Sequence, residues 1–246
     1  MNYKIAIPTH RRSSTLRGLT LSLMDSIPPS DIFLFISDED DLKTYEKDYG
    51  EYNLILCNTK SVKEKFNFVQ QYFTDGEWVV VLEDDIKEIQ DLGNRSTKDL
   101  IEYMISFTES KRSKCFGIYP SSNKFFMTDS VEVGLTFLVA HLYGYVAESN
   151  PELNCKEEVK IDYERSVLFW SELSPIVRFN HVSCKTNNYT NKGGIQEVKD
   201  TRAELERVSC DNLVKRYPSI FTINDKRKSK YTELKMNKNS VKVKTR

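Results

Sequence analysis

Short runs of large hydrophobic residues alternate with segments of helical periodicity in the first third of the chain. Such runs, bounded by polar or turn-forming residues, are typical of buried β-strands, and they lie at 4–8, 32–36, 52–57 and 77–82. Between them, apolar residues recur every three or four positions, which predicts helices over 13–26, from the acidic turn at 37–41 to about residue 50, and over 61–73. Strands that alternate with helices in this way are typical of a parallel α/β sheet.

The remaining two thirds of the chain are less regular. The pattern predicts helices over 97–110, from 159 onward and over 197–216, with strands at 115–119 and 176–180 and extended structure across 133–145. Neither an internal repeat nor an interior linker interrupts the sequence. We therefore expect one α/β domain with a mixed, mostly parallel sheet over 1–225, followed by a basic tail over 226–246.

Composition places the chain among globular proteins. Its 246 residues are 39% hydrophobic and 29% charged, and no apolar segment approaches the length needed to span a bilayer. The N-terminus also lacks a signal-peptide core, so we expect a cytoplasmic protein without a membrane partner. Five scattered cysteines with no CxxC pair argue against a disulfide framework and against a zinc site.

The net charge of zero hides an uneven distribution. The segment 226–246 contains nine Lys or Arg residues and one acid, Glu233, so that it carries a charge of +8 and the remainder carries −8. A tail of this kind is either a solvated, partly disordered end or a contact for a polyanion, where each cation placed on a phosphate adds affinity.

Three consecutive carboxylates, Glu83, Asp84 and Asp85, directly follow the run 77–82. In open α/β sheets, ligands bind outside the carboxyl ends of the strands, and clustered acids repel each other unless a cation lies among them. Hard divalent cations such as Mg²⁺ or Mn²⁺ prefer oxygen ligands and commonly bridge to phosphates. The stretch therefore predicts a metal–diphosphate site with Asp84 and Asp85 as ligands; an acidic turn that only caps the next helix is equally open.

The other predicted strands also end in residues suited to a nucleotide. Cations for phosphates and an acid for base or ribose hydroxyls follow the first three strands, at Thr9, Arg11 and Arg12, then Asp38, then Lys60, Lys63 and Lys65. Each of these could equally be a solvated loop residue. The sequence has neither a GxGxxG fingerprint nor a Walker loop, which disfavours dinucleotide dehydrogenases and P-loop NTPases.

Several motifs together resemble a known family. The chain is similar to GT-A glycosyltransferases and, more narrowly, to the TET-associated (base J-type) glycosyltransferases of tailed phages, which attach sugars to hydroxymethylated pyrimidines in DNA. The matching pieces run in family order: Ile7-Pro8-Thr9-His10-Arg11-Arg12, Leu82-Glu83-Asp84-Asp85-Ile86, Gly117-Ile118-Tyr119-Pro120 with Asn123 and Phe125-Phe126-Met127, Asp162-Tyr163-Glu164-Arg165, Arg178-Phe179-Asn180, and Tyr189 with Lys192-Gly193-Gly194-Ile195.

The resemblance implies a role for individual positions. Pro8, Thr9, Arg11 and Arg12 fall at the uridine and diphosphate end of a UDP-sugar. Asp84 and Asp85 fall on the Asp-x-Asp-like motif for Mn²⁺ or Mg²⁺, although Glu-Asp-Asp leaves the direct ligand open. Asp162 falls where an inverting enzyme places its base, whereas its position before a helix alone would favour an N-cap. The loop closing over the phosphates would be formed by Lys192, Gly193 and Gly194.

An enzyme that modifies a base in duplex DNA must extrude the nucleotide, which requires stacking surfaces and phosphate-binding cations. The candidates are Tyr119, Asn123, Phe125, Phe126 and the tail residues Lys226, Arg227, Lys228, Lys230 and Lys235. The three histidines, His10, His141 and His181, are expected to be structural.

The resulting hypothesis is a metal-dependent transfer of glucose or a pentose such as arabinose from a UDP-sugar to a hydroxymethylpyrimidine in DNA, 5-hydroxymethylcytosine first. The sugar, the stereochemical outcome and the identity of the pyrimidine are open. So are three rivals: a GT-A enzyme acting on a glycan or lipopolysaccharide, a non-catalytic nucleic-acid-binding module, and a nucleotidyltransferase.

Overall fold

The computed structural model describes residues 1–186, 202–226 and 230–244. Its strands are β1 Tyr3–Thr9, β2 Ile32–Ile36, β3 Asn53–Leu56, β4 Trp78–Leu82, β5 Ile86–Asp91, β6 Cys115–Tyr119, β7 Ser130–Gly134, β8 Leu142–Val146, β9 Ile176–Thr186, β10 Phe221–Ile223, β11 Leu234–Met236 and β12 Ser240–Lys244. Its α-helices are α1 Ser13–Leu16, α2 Glu39–Asp48, α3 Val62–Tyr72, α4 Thr97–Ser110, α5 Ile161–Leu168 and α6 Arg202–Arg216.

One large sheet organises the described residues. Its strand order is β12-β7-β9-β6-β8-β4-β1-β2-β3, and β5 pairs with the C-terminal half of β9. Strands β3, β2, β1 and β4 are mutually parallel, and β6 is parallel to β9. Seven of the ten strands run in one direction, because only β5, β7 and β8 pair antiparallel to that set. The predicted fold class, an α/β domain with a mixed, mostly parallel sheet flanked by helices, is confirmed.

The sheet is buried on both faces, which explains why its strands are continuous hydrophobic runs rather than alternating ones. Successive side chains point to opposite faces, so Ile5 and Ile7 enter one apolar cluster and Ala6 enters the other. In the same way, Val80 and Leu82 of β4 separate from Val79 and Val81. β4 is buried at all five positions and lies between β1 and β8.

The predicted helix over 13–26 was wrong in its length. The structure has the single turn α1, then a 3₁₀ turn at Thr20–Leu23, with Gly18 between them. Thr20 explains the break, because its hydroxyl donates to the Glu83 carbonyl (2.7 Å) and accepts from the Ile86 N–H (3.0 Å). The chain leaves the helical path at Thr20, whose hydroxyl contacts both ends of the acidic turn.

Other elements differ from prediction in kind or extent. The segment 133–145, predicted to be extended throughout, consists of the end of β7, a loop and most of β8. Strand β5 was not predicted, and β9 continues beyond the predicted strand 176–180 to Thr186. Two strands lie inside the predicted tail: β11 pairs with β10, and β12 pairs with β7 at the edge of the main sheet. The domain boundary at residue 225 stays a prediction. The predicted loop 187–195 and the start of the predicted helix at 197 lie outside the described residues.

Candidate functional site

The acidic turn lies at the sheet edge where β1, β2 and β4 all end. These strands are parallel and adjacent, so Thr9, Ile36 and Leu82 finish at the same edge. β8 begins there as well, because Leu142 is the partner of Leu82 in the antiparallel pair. Asp84 and Asp85 are buried, with 9% and 4% of their surfaces exposed. Burial of two acids at a topological edge requires nearby partners.

Arg12 joins the two aspartates. Its Nη1 lies 2.9 Å from Asp84 Oδ1 and 2.8 Å from Asp85 Oδ2. Thr9 donates a hydrogen bond to the other Asp84 oxygen at 2.8 Å. The strand-end residues predicted separately from β1 and β4 are therefore in direct contact, and the Arg12 charge offsets part of the repulsion between the carboxylates.

Asp85 keeps one oxygen without a partner. Its Oδ1 is buried and accepts no hydrogen bond from the described residues, an arrangement that costs free energy unless a ligand or ion satisfies it. Within the described part of the chain, no three acids, histidines or cysteines converge on one point. The site thus fits Mg²⁺ or Mn²⁺ of the kind held by one or two carboxylates together with substrate phosphates.

The pKa of Asp84 is raised to about 6. Burial is the main cause, and the charges of Asp85 and Glu83 add to it, whereas Arg12 and the Thr9 hydrogen bond work in the opposite direction. A positive ion next to Asp84 would favour its ionised form and lower this pKa.

A second layer of side chains holds the segment after β1, and sequence reasoning had given none of them this function. Tyr45 of α2 lies 2.7 Å from the Thr9 hydroxyl and must be the donor, since that hydroxyl donates to Asp84. The Lys65 ammonium donates to the Thr9 carbonyl, and Asp41 accepts from the Arg11 N–H at 2.8 Å. Burial lowers the pKa of Lys65. Arg11 has a φ of +53°, a conformation unfavourable for its side chain and held here by the Asp41 contact.

Three predicted nucleotide-binding residues have other local contacts. Pro8 lies within β1 opposite Phe35, and Asp38 is the N-cap of α2, accepting from the Asp41 N–H at 2.9 Å. Lys63 pairs with Glu158. Lys192, Gly193 and Gly194 lie outside the described residues, so a loop over the phosphates stays a prediction.

Asp162 lies in the first turn of α5 but is not its N-cap. The capping position is Lys160, which has the left-handed φ of +60°, and no side chain caps the helix end. The N-cap alternative for Asp162 was therefore wrong. Its Oδ2 accepts from the Ala140 N–H at 3.3 Å, and its Oδ1 lies 3.8 Å from Arg165 Nη1.

Glu83 of the acidic turn pairs with His141, and Ala140, the residue before His141, contacts Asp162. Glu83 Oε2 lies 2.5 Å from His141 Nδ1, and the Glu83 N–H donates to the His141 carbonyl at 3.2 Å. Burial alone would lower the pKa of His141, but the hydrogen bond and charge of Glu83 outweigh it, with Asp162 and Asp85 contributing, and the net shift is upward. Sequence gave no sign of this pair, because 58 positions separate the two residues and only the β4–β8 register brings them together.

The predicted acceptor residues lie further along the same edge. β6 runs in the direction of β4 and is separated from it by β8, so Tyr119 at its end lies about 10 Å from the end of β4. Phe125 and Phe126 are 85% and 54% exposed and pack edge to face, with ring centroids 5.2 Å apart. The Asn123 side chain accepts from the Phe125 N–H at 3.0 Å and shapes this turn. The two rings form a small exposed apolar patch.

The basic residues of the tail are only partly described. Lys226 and Lys230 are exposed, and the Lys230 ammonium lies 5.7 Å from the Tyr231 ring. Lys235 is an exposed residue of β11. Arg227 and Lys228 lie outside the described residues. No helix in the described part of the chain is long and apolar enough to cross a membrane.

The sequence matches no family model and no curated protein. Among solved structures, glucosyl-3-phosphoglycerate synthase of Mycobacterium tuberculosis is similar with a TM-score of 0.57 and 10% identity, over 91% of this chain and 84% of that one. The same enzyme in complex with Mn²⁺, UDP-glucose and phosphoglyceric acid gives 0.51 at 10% identity, over 96% and 86%. A further mycobacterial protein gives 0.56 at 10% identity, over 96% and 84%.

The chain has a GT-A-type fold. At this level of identity the similarity establishes the architecture alone.

Proposed function

We propose that this GT-A-type protein transfers a sugar from a UDP-sugar, with the help of Mn²⁺ or Mg²⁺, to the hydroxymethyl group of a modified pyrimidine in DNA. The observation that carries the donor half is the pair Asp84–Asp85 at the end of β4, bridged by Arg12 and with one buried carboxylate oxygen unsatisfied. A nucleoside diphosphate with its cation is the ligand that such an edge of an α/β sheet suits.

In this proposal Asp85 is the direct ligand of the cation, and Asp84 is held in place by Thr9 and Arg12. The bound cation would stabilise the negative charge that develops on the departing diphosphate. Arg12, released from its bridge between the carboxylates, would provide a further positive charge for the phosphates. The structures of glucosyl-3-phosphoglycerate synthase with Mn²⁺ and UDP or UDP-glucose support this choice of cofactor and donor.

Asp162 is the proposed general base. The oxygen of the acceptor hydroxymethyl group attacks C1 of the sugar, its proton passes to Asp162, and the bond between C1 and the diphosphate oxygen breaks to release UDP. Asp162 suits this role because 30% of its side chain is exposed and Oδ1 accepts no hydrogen bond within 3.5 Å from its ion-pair partner Arg165. Base catalysis of this kind typically contributes 10²–10⁴-fold.

The DNA acceptor rests on the sequence resemblance and on the exposed Phe125–Phe126 pair at the same edge of the sheet. Aromatic side chains can stack on an extruded base at a gain of about 1–3 kcal/mol per base. One of the similar solved structures is an enzyme complex with phosphoglyceric acid, and a glycan or other acceptor that is not DNA is the alternative.

The test is UDP release with Mn²⁺ from a panel of UDP-sugars, with DNA that contains 5-hydroxymethylcytosine, 5-hydroxymethyluracil or neither. We expect release that depends on the modified DNA, is abolished in Asp85→Ala, and falls about 10²–10⁴-fold in Asp162→Asn while UDP binding persists. The exposed substitution Asp211→Asn on α6 is the control. Release that ignores DNA would move the acceptor to another molecule, and a folded protein that turns over no donor would overturn the proposal.

A further inference from the structure

Arg165 has an unusual environment that the proposed chemistry leaves unexplained. Only 3% of the residue is exposed, and its Nη1 and Nη2 find no hydrogen-bond acceptor among the described residues. The guanidinium packs on two aromatic rings, 4.5 Å from the centroid of Phe66 and 4.4 Å from that of Tyr143. Burying a charge with so few hydrogen bonds costs several kcal/mol.

The acid that faces this guanidinium is Asp162, one turn earlier on α5. Residues three apart on a helix lie on one face, and Asp162 Oδ1 is 3.8 Å from Arg165 Nη1. At that distance the two groups form an ion pair, but they are too far apart for a hydrogen bond. The Ala140 N–H holds the other oxygen, Oδ2. Arg165 therefore supplies positive charge to Asp162 without occupying the lone pairs of Oδ1.

We propose that Arg165 is a positioning residue for Asp162: its guanidinium, packed on Phe66 and Tyr143, keeps the carboxylate ionised and leaves Oδ1 available to accept the proton of the acceptor hydroxyl. This inference rests on the proposed role of Asp162 as base. It predicts that the positive charge at position 165, rather than its bulk, determines the protonation of Asp162.

The charges around Asp162 support this division of roles. Burial raises the pKa of Asp162; Arg165 lowers it, Glu83 raises it, and His141 and the Ala140 N–H lower it, with a net upward shift. The other groups that interact with the guanidinium are Tyr143 and Tyr145 of β8 and Cys155. Burial raises the pKa of all three, so they are neutral at neutral pH. Removal of the Arg165 charge would leave burial and Glu83 opposed mainly by His141.

Arg165→Met and Arg165→Lys form a matched pair for the test, because the two side chains are unbranched and similar in length but differ in charge. The first readout is the pH titration of the Asp162 carboxyl carbon by ¹³C NMR in the metal-free 246-residue protein, assigned with Asp162→Asn. We expect the midpoint to move to higher pH in Arg165→Met and to stay near the wild-type value in Arg165→Lys. Identical midpoints in all three proteins would overturn the inference.

The second readout is the pH profile of sugar transfer. In Arg165→Met the acid limb should move in step with the NMR midpoint, with a loss of about tenfold per unit of displacement below the limb and recovery at higher pH. A purely structural role would instead lower activity equally at every pH and reduce the melting temperature, with no displacement. If the wild type transfers no sugar, the proposed function fails, and the NMR titration still decides whether Arg165 controls Asp162.

Discussion

At the scale of single residues, the protonation of Asp84 is coupled to the stability of the fold. Its pKa is about 6 in the folded protein and near 3.8 when solvated, so between these values the folded state binds more protons than the unfolded state. The contribution of Asp84 to stability is therefore fully present below about pH 4 and is lost as the pH rises through about 6. We expect this contribution to fall over that window in the metal-free protein, measured at fixed pH values as the difference between the wild type and Asp84→Asn in the free energy of unfolding in urea.

Asp84→Asn provides the control, because an uncharged amide cannot titrate and should flatten the profile between about pH 4 and 6. Added Mn²⁺ should stabilise the wild type more at pH 7 than at pH 5, since ion binding favours the ionised carboxylates. A profile that is the same in both proteins would show that Asp84 is not the titrating group.

The contacts of the site divide into those that sequence could predict and those that it could not. The meeting of Thr9 and Arg12 with Asp84 follows from a parallel sheet, since adjacent strands bring their carboxyl ends to one edge. The support from Tyr45 and Lys65 does not follow, because it depends on how α2 and α3 rotate against the sheet. A lysine in a helix carries no mark in its sequence that its ammonium will be buried.

At the scale of elements, hydrophobic periodicity located the strands and helices that are buried on a regular face. It failed for α1, where the long-range contacts of Thr20 with Glu83 and Ile86 override local helix propensity. It also missed β5, whose pattern Ile-Lys-Glu-Ile-Gln-Asp belongs to a partly exposed strand with a bulge in its pairing.

The helix that carries Asp162 is fixed by a buried acid, Glu164. Its Oε2 accepts from the N–H groups of Lys156 and Glu157 at 2.8 Å each, and its Oε1 pairs with Arg216 of α6. We expect Glu164→Ala to lower the free energy of unfolding by about 3 kcal/mol or more, because breaking a buried ion pair leaves its partners unsatisfied. Urea denaturation at neutral pH measures this loss.

Arg207→Ala is the comparison for that experiment. Arg207 also makes two ion pairs, with Glu204 and Asp211 of α6, but all three side chains are more than half exposed. Exposed pairs of this kind contribute little, and we expect no measurable change in stability. Equal effects of the two substitutions would contradict the assignment of α5 as the element held by Glu164.

At the scale of the whole molecule, the basic tail belongs in part to the fold. β12 pairs with β7, and Leu234 of β11 is buried with Phe221 and Cys210. Deleting residues 226–246 would remove both strands, so lost activity after that deletion would not distinguish DNA binding from unfolding. The tail carries about +8 on 21 residues of a neutral protein. The contribution of this charge to DNA binding can be measured by substituting single lysines.

Lys226 and Lys230 are suitable for this test because both are exposed and neither lies in a strand. If both contact phosphates, Lys226→Gln with Lys230→Gln should weaken binding to duplex DNA and flatten the dependence of log affinity on log salt concentration by about 1.8, or about 0.9 for each lost contact. The melting temperature should be unchanged. The control is Lys98→Gln with Lys111→Gln, which removes the same charge. Lys98 is an exposed residue of α4, and the exposed Lys111 directly follows that helix, so the salt slope should stay as in the wild type. Equal slopes in all three proteins would exclude Lys226 and Lys230 as phosphate contacts.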